Sequence, residues 1–151
     1  MQLTDILDVK CVKVPLQGVT KYEVITELVD VLDQAGLIKD YQSTLKTVME
    51  RESVRSTGVG QGFAIPHGRC SAVDDLIMAV GKTAEPIDFV SIDKQMVSVI
   101  FLLLSPPDKT GPHIQALALI SRLMIDSKYR QLITESSDAE QLYQHIAAFR
   151  Q

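Results

Sequence analysis

The sequence predicts an α/β fold in which helices cover both faces of a sheet, and three observations carry that reading. Segments with helical spacing alternate with short apolar runs, the order that builds layered α/β folds. The stretch from Met96 to Leu104, with Ser98 inside it, is otherwise apolar from end to end, as a strand buried on both faces requires. At 151 residues, with 46% hydrophobic and 23% charged residues, the chain is long enough to bury roughly two thirds of its unfolded surface in one core. One domain over residues 1–151 is therefore expected.

Each element has its own signal. Cys11 to Val14, with Val12 and Val14 on one side, reads as a short strand. Thr20 and Glu23 form a capping box that opens a helix running to about Gln34, where Val24, Ile25, Leu28, Val29, Val31 and Leu32 recur at helical spacing and Gly36 ends the element. A second helix, from about Asp40 to Arg51, is expected to bury Tyr41, Leu45, Val48 and Met49, with Arg51 facing the glycine-rich segment that follows. Phe63 to Ile65 reads as a brief strand, Leu76 to Gly81 as another, and Met96 to Leu104 as the central one. The stretch Ser105 to Pro112 is a loop, and Pro112 suits the first turn of a helix from Ile114 to Ile125 whose predicted buried face is Ile114, Leu117, Ile120, Leu123 and Met124. Ser137 and Glu140 open a last helix carrying Leu142 and Ile146. Strand order does not follow from these signals.

Composition removes several function classes. A net charge of −4 and the absence of Trp leave neither a basic stripe nor a stacking platform for nucleic acid. The longest apolar run is far below the roughly 20 residues that span a bilayer, so no membrane insertion is expected. The first residues lack the basic start and apolar core of a signal peptide, and a cytoplasmic protein is predicted. Cys11 and Cys70 form no Cys-x-x-Cys pair, and with His67 they offer too few ligands for zinc, so neither a metal nor another cofactor is expected.

The chemistry-bearing segment is Gly60-Gln61-Gly62-Phe63-Ala64-Ile65-Pro66-His67. Glycines allow positive φ and the close approach of a phosphate, Pro66 fixes the backbone before the imidazole, and Gly68 relieves crowding after it. A histidine nucleophile suits phosphoryl transfer because one ring nitrogen can be held by an acceptor while the other attacks. His113 is placed at a helix N-terminus, which favours both a bound anion and a neutral ring. His145, in the last helix, reads as an edge residue. Other motifs fail: Phe63 stands where a dinucleotide fingerprint needs glycine or alanine, and neither a Gly-x-x-x-x-Gly-Lys-Ser/Thr loop nor a Gly-x-Ser-x-Gly elbow is present.

The stretch from Arg51 to Arg69, RESVRSTGVGQGFAIPHGR, resembles the signature of enzyme IIA of the mannitol/fructose class in the bacterial phosphoenolpyruvate-dependent sugar phosphotransferase system. The resemblance extends over nearly the whole chain, with the family's second histidine at His113. It implies a mixed sheet with helices on either side. It also implies that His67 accepts a phosphoryl group from the carrier HPr or its nitrogen-branch relative, that His113 hydrogen-bonds that group, and that Arg51 lies near the active ring. Thr57, Gly60, Gln61 and Gly62 are the expected phosphate-binding positions, and Arg69 stands where lysine or threonine also occurs in relatives. Some sugar-specific members carry an acid at the position of Gln61, so this site is less negative than theirs. Three roles remain open on the sequence. They are a regulatory phosphocarrier acting on a transporter or kinase, a fructose- or mannitol-type IIA that passes its phosphoryl group to a cysteine of a separate IIB protein, and a non-catalytic binding module on the same fold. The resemblance leans toward the first, the nitrogen-regulatory type.

Overall fold

The run of apolar residues that predicts a central strand is the strand around which the molecule is arranged. In a computed structural model that describes residues 1–150, it forms β6, Val97–Ser105, with every residue but Ser98 buried. The preceding strands are β1 (Val12–Leu16), β2 (Gly58–Gly60), β3 (Phe63–Ala64), β4 (His67–Arg69) and β5 (Ile77–Ile87). The sheet runs β1-β5-β6-β3-β2, with β4 also on β6. It is mixed: β1 is parallel to β5, β3 and β4 are parallel to β6, and the β5–β6 and β2–β3 pairs are antiparallel.

Helices cover both faces, as the alternating pattern demands. Helices α1 (Lys21–Gln34) and α2 (Tyr41–Val54) pack together on one side. Helices α3 (Thr110–Ile125), α4 (Ser127–Thr134) and α5 (Ala139–Ala147) pack in sequence on the other. The capping box at α1 is complete: Thr20 accepts from the Glu23 amide, and Glu23 accepts from the Thr20 amide. Past its end, Gly36 takes φ +76°, the left-handed conformation that glycine supplies at least cost.

Three expectations are corrected, and two elements are added. Strand β1 begins at Val12 and not Cys11, because Cys11 closes a single 3-10 turn whose Lys10 amide is capped by Asp8. Helix α2 continues past Arg51 to Val54, and its fully buried stripe is Thr44, Val48 and Glu52; Tyr41, Leu45 and Met49 only flank the core. Helix α3 buries Ile120, Leu123 and Met124 as expected, but Ile114 is 61% exposed and Leu117 only half-buried, and His113, Ala116 and Leu119 take the other inward positions. Helix α4 has no counterpart in the sequence reading, being a short amphipathic segment capped by Asp126. The glycine-rich segment forms a β-hairpin, β2–β3. Its two turn residues, Gln61 at φ 59° and Gly62 at φ 86°, have the paired positive values of a type I′ turn.

Candidate active site

Residues on β4 alternate between the two faces of the sheet, and this decides where His67 points. Gly68 faces α2, since a Cβ there would lie 3.2 Å from Thr47 Cγ2 and 3.4 Å from Val48 Cγ2. His67 and Arg69 therefore face the opposite side, toward α3. The parallel register sets His67 beside Leu103 and Arg69 beside Ser105 on β6. Leu103 packs with Leu76 and Ala116, an apolar floor beneath the first turn of α3. His113 enters from that turn, only 6% exposed, and its ring centroid lies 5.6 Å from that of His67 with the planes tilted by 60°.

Pro66 explains how the first ring is held. The β3 and β4 pairings to β6 keep the same offset on both sides of the Ile65-Pro66 step, so the two strands are one line interrupted by a residue with no N–H. Pro66 still accepts from the Leu103 amide at 3.0 Å. The Ile65 carbonyl is turned out of the ladder and meets His67 Nδ1 at 2.8 Å. A carbonyl oxygen only accepts, so Nδ1 carries the proton and Nε2 presents its lone pair. The second ring is anchored by a different partner: His113 Nδ1 lies 2.6 Å from Ser105 Oγ, a fully buried hydroxyl at the end of β6.

Both rings are held neutral. Burial pushes the pKa of His67 below the ordinary 6.5, opposed by its bond to the Ile65 carbonyl, with the Arg51 charge lowering it further and Glu52 raising it. His113 is pushed down to about 4, by burial first and by the nearby charges of His67 and Arg69 in the same direction. Neutral imidazole is the form with a free lone pair.

The other expected residues divide into two groups. Arg51 acts electrostatically on His67, and its guanidinium donates to the Arg55 carbonyl at 3.0 Å. Arg69 donates to the Pro107 carbonyl at 2.6 Å and to the Thr110 hydroxyl, tying β4 to the loop that starts α3. Thr57 is two links from the first ring, its carbonyl accepting from the Ile65 amide at 3.0 Å. Its own amide and hydroxyl are already engaged by Glu52. Gly60, Gln61 and Gly62 are not brought to the rings. The Gly62 carbonyl bonds the Ser98 amide, five residues before Leu103 on β6, which at about 3.3 Å per residue puts the turn roughly 16 Å from His67. That turn borders a cavity with Met124 and Ile125, at the end of α3 opposite to His113. Proximity in sequence misleads here because β3 and β4 run on in one extended line and carry the turn away.

Three contributors were missed on the sequence. Ser105 had a usable signal, a polar residue closing an apolar strand, whereas the Ile65 carbonyl and Glu52 act through backbone geometry and burial that spacing does not reveal.

Residues 5–148 match the family model "Phosphoenolpyruvate-dependent sugar phosphotransferase system, EIIA 2". The chain belongs to this family. Membership makes this EIIA-family protein a phosphoryl-transfer component of such a system. It is 33% identical over 141 residues to the fructose-specific EIIABC component of Bacillus subtilis, covering 92% of this chain but only 22% of that longer protein. It is 30% identical over 148 residues to a nitrogen regulatory protein of Bradyrhizobium diazoefficiens, covering 97% of this chain and 95% of the relative. Among solved structures, the nitrogen regulatory protein IIA-Ntr of Neisseria meningitidis superposes with a TM-score of 0.86 at 29% identity, over 95% of this chain and 98% of that one. The mixed sheet with flanking helices is thus the EIIA fold.

Proposed function

We propose that this EIIA protein carries a phosphoryl group on Nε2 of His67, taken from the phosphohistidine of an HPr-like carrier. One observation carries the reading: Nδ1 of His67 is committed to the Ile65 carbonyl while its Nε2 lone pair remains available beside the ring of His113. The lone pair attacks phosphorus in line, the donor's N–P bond breaks, and the electron pair leaves with the donor imidazole. Nδ1 keeps its proton throughout. Ser105 Oγ donates to His113 Nδ1 in the tautomer that places a proton on the His113 Nε2, which then donates to a phosphoryl oxygen. Arg69 and Arg51 supply positive charge near the group.

Gly60, Gln61 and Gly62 have no part in this proposal, and Thr57 takes part only by supporting Ile65. Incubation with phosphoenolpyruvate, enzyme I and an HPr-type carrier is expected to label the protein, and His67→Ala to abolish the label; a labelled His67→Ala protein would overturn the assignment.

A regulatory use is the reading we favour, because the nitrogen regulatory relative is matched along nearly its full length. The phosphoryl group adds roughly −1.5 to −2 charge, which changes what the face around His67 attracts. The identity to a fructose-specific component supports a second reading, transfer to the cysteine of a IIB protein. Phosphorylated protein that discharges rapidly onto a purified fructose-type IIB would establish the second. A partner whose activity follows the phosphorylation state, with no discharge, would establish the first. No helix among the described residues is long and apolar enough to cross a membrane.

A further inference from the structure

Glu52 is a buried carboxylate far more heavily engaged than a helix-end glutamate ordinarily is. It is 2% exposed and accepts three donors. Oε2 accepts from the Thr57 amide at 2.8 Å and lies 2.8 Å from Lys21 Nζ; Oε1 accepts from the Thr57 hydroxyl at 2.6 Å. Lys21 is itself shielded, with its ammonium 5.1 Å from the centre of the Phe89 ring. A charge this deep persists only where its partners are complete, and removing one partner is costly. Such a cluster fixes the backbone it holds.

What it holds leads to the active ring. Thr57, pinned at both amide and hydroxyl, presents its carbonyl to the Ile65 amide at 3.0 Å. That bond fixes the Ala64–Ile65 peptide, the unit immediately before the one whose carbonyl, that of Ile65, meets His67 Nδ1. Pro66 provides no donor to hold the segment in its place. We propose that Glu52 is a positioning residue for the reaction at His67, holding the ring through Thr57 and Ile65 in the tautomer that leaves Nε2 free. The proposal rests on the phosphocarrier reading for its chemical consequence but not for its structural one. Glu52 touches no reacting atom. It acts as the outer partners of a metal-bound histidine act, by fixing tautomer and orientation from a distance.

The test uses the full chain, 15N-labelled at histidine, as wild type, Glu52→Ala, Glu52→Gln and Thr57→Val. Long-range 1H–15N spectra, taken at a pH where the rings are neutral, read which nitrogen of His67 carries the proton. Phosphoramidate serves as a small donor, its P–N bond breaking and ammonia leaving as the bond to Nε2 forms, so that docking of a carrier does not enter. Wild type is expected to be almost wholly Nδ1–H. Glu52→Ala is expected to show both tautomers and a phosphorylation rate lower by roughly tenfold, the scale on which misplaced groups lose rate. Glu52→Gln, which keeps one acceptor oxygen for Thr57, is expected to recover most of the Nδ1–H form, and Thr57→Val to lie between.

A folded Glu52→Ala protein with the wild-type tautomer and rate would overturn the proposal. Should Glu52→Ala not fold, Thr57→Val decides, and an unchanged tautomer there is equally fatal. If phosphoramidate labels no protein while the tautomer shifts as expected, the phosphocarrier reading falls and the relay from Glu52 to the ring is upheld.

Discussion

His113 combines deep burial with a titratable ring, and its consequence for stability has a definite sign. Its pKa lies at about 4 in the folded chain and returns to the ordinary 6.5 on unfolding, so between these values the unfolded state binds more protons. The stability contributed by the neutral ring is therefore complete above pH 6.5 and is lost as pH falls toward 4. The whole difference amounts to at most about 3 kcal/mol. His113→Gln is expected to flatten this part of the pH dependence, measured as unfolding free energy in urea at a series of pH values; an unchanged slope would show that other groups set it. Ser105 belongs to the same unit. Ser105→Ala leaves a buried ring nitrogen without its partner, and a loss of about 1–3 kcal/mol is expected in the same measurement. For His67 the lowered pKa predicts that phosphoryl acceptance continues at a pH below the ordinary histidine value, where an exposed ring would already be protonated. A rate that falls off at 6.5 would contradict the burial seen here.

At the scale of elements, the hairpin β2–β3 is held to the rest by the segment before β6. Gly58 is tightly covered, since a Cβ there would meet Ser91 Oγ at 2.3 Å and Ser91 Cα at 3.0 Å. Gly58→Ala is expected to cost about 1–3 kcal/mol in thermal or urea unfolding, as overpacking does. Ser91 Oγ is itself buried without a hydrogen-bond partner, so Ser91→Ala is expected to be neutral or to stabilise by about 1 kcal/mol. How far such elements were legible in the sequence depended on how local their causes are. The capping box of α1, the left-handed Gly36 and the apolar β6 are determined within a few residues, and they form where their residues predict. The inward face of α3 follows helical spacing at Ile120, Leu123 and Met124 and departs from it at the N-terminal end. Ile114 and His113 compete for it, and burial goes to the histidine because Ser105 on β6 gives its ring a partner. That partner comes from pairing distant in sequence, which helical spacing does not encode. The same holds for the hairpin, whose glycines were legible as a turn but whose distance from His67 depends on the register of β3 and β4 against β6.

For the molecule as a whole, the site sits across a boundary in rigidity. Strand β6 is flanked by β5 on one side and by β3 and β4 on the other, with helices above and below, so its amides are enclosed in every direction. It contributes Leu103 and Ser105, the floor and the anchor of the two-ring arrangement. His67 lies on the short strand β4, which is hydrogen-bonded to β6 alone, and its carbonyl support comes from the Thr57 segment beyond the end of α2. A firm half therefore carries the apolar floor and the His113 anchor, and a more weakly tied half carries the nucleophile. Native-state hydrogen exchange is expected to show this division: amides of β6 and of β5 opposite it should exchange only through global unfolding, whereas those of β2 and the segment from Asp88 to Met96 should open at lower free energy. The Ile65 amide, bonded to Thr57, belongs with the first group if Glu52 holds Thr57 as firmly as its three contacts require. Slow exchange at Ile65 that becomes fast in Thr57→Val, with β6 unchanged, would locate the stiffness of the nucleophile's support in that carboxylate and not in the sheet. Uniform protection across β2, β4 and β6 would mean that the two halves unfold as one unit, and the division drawn here would be incorrect.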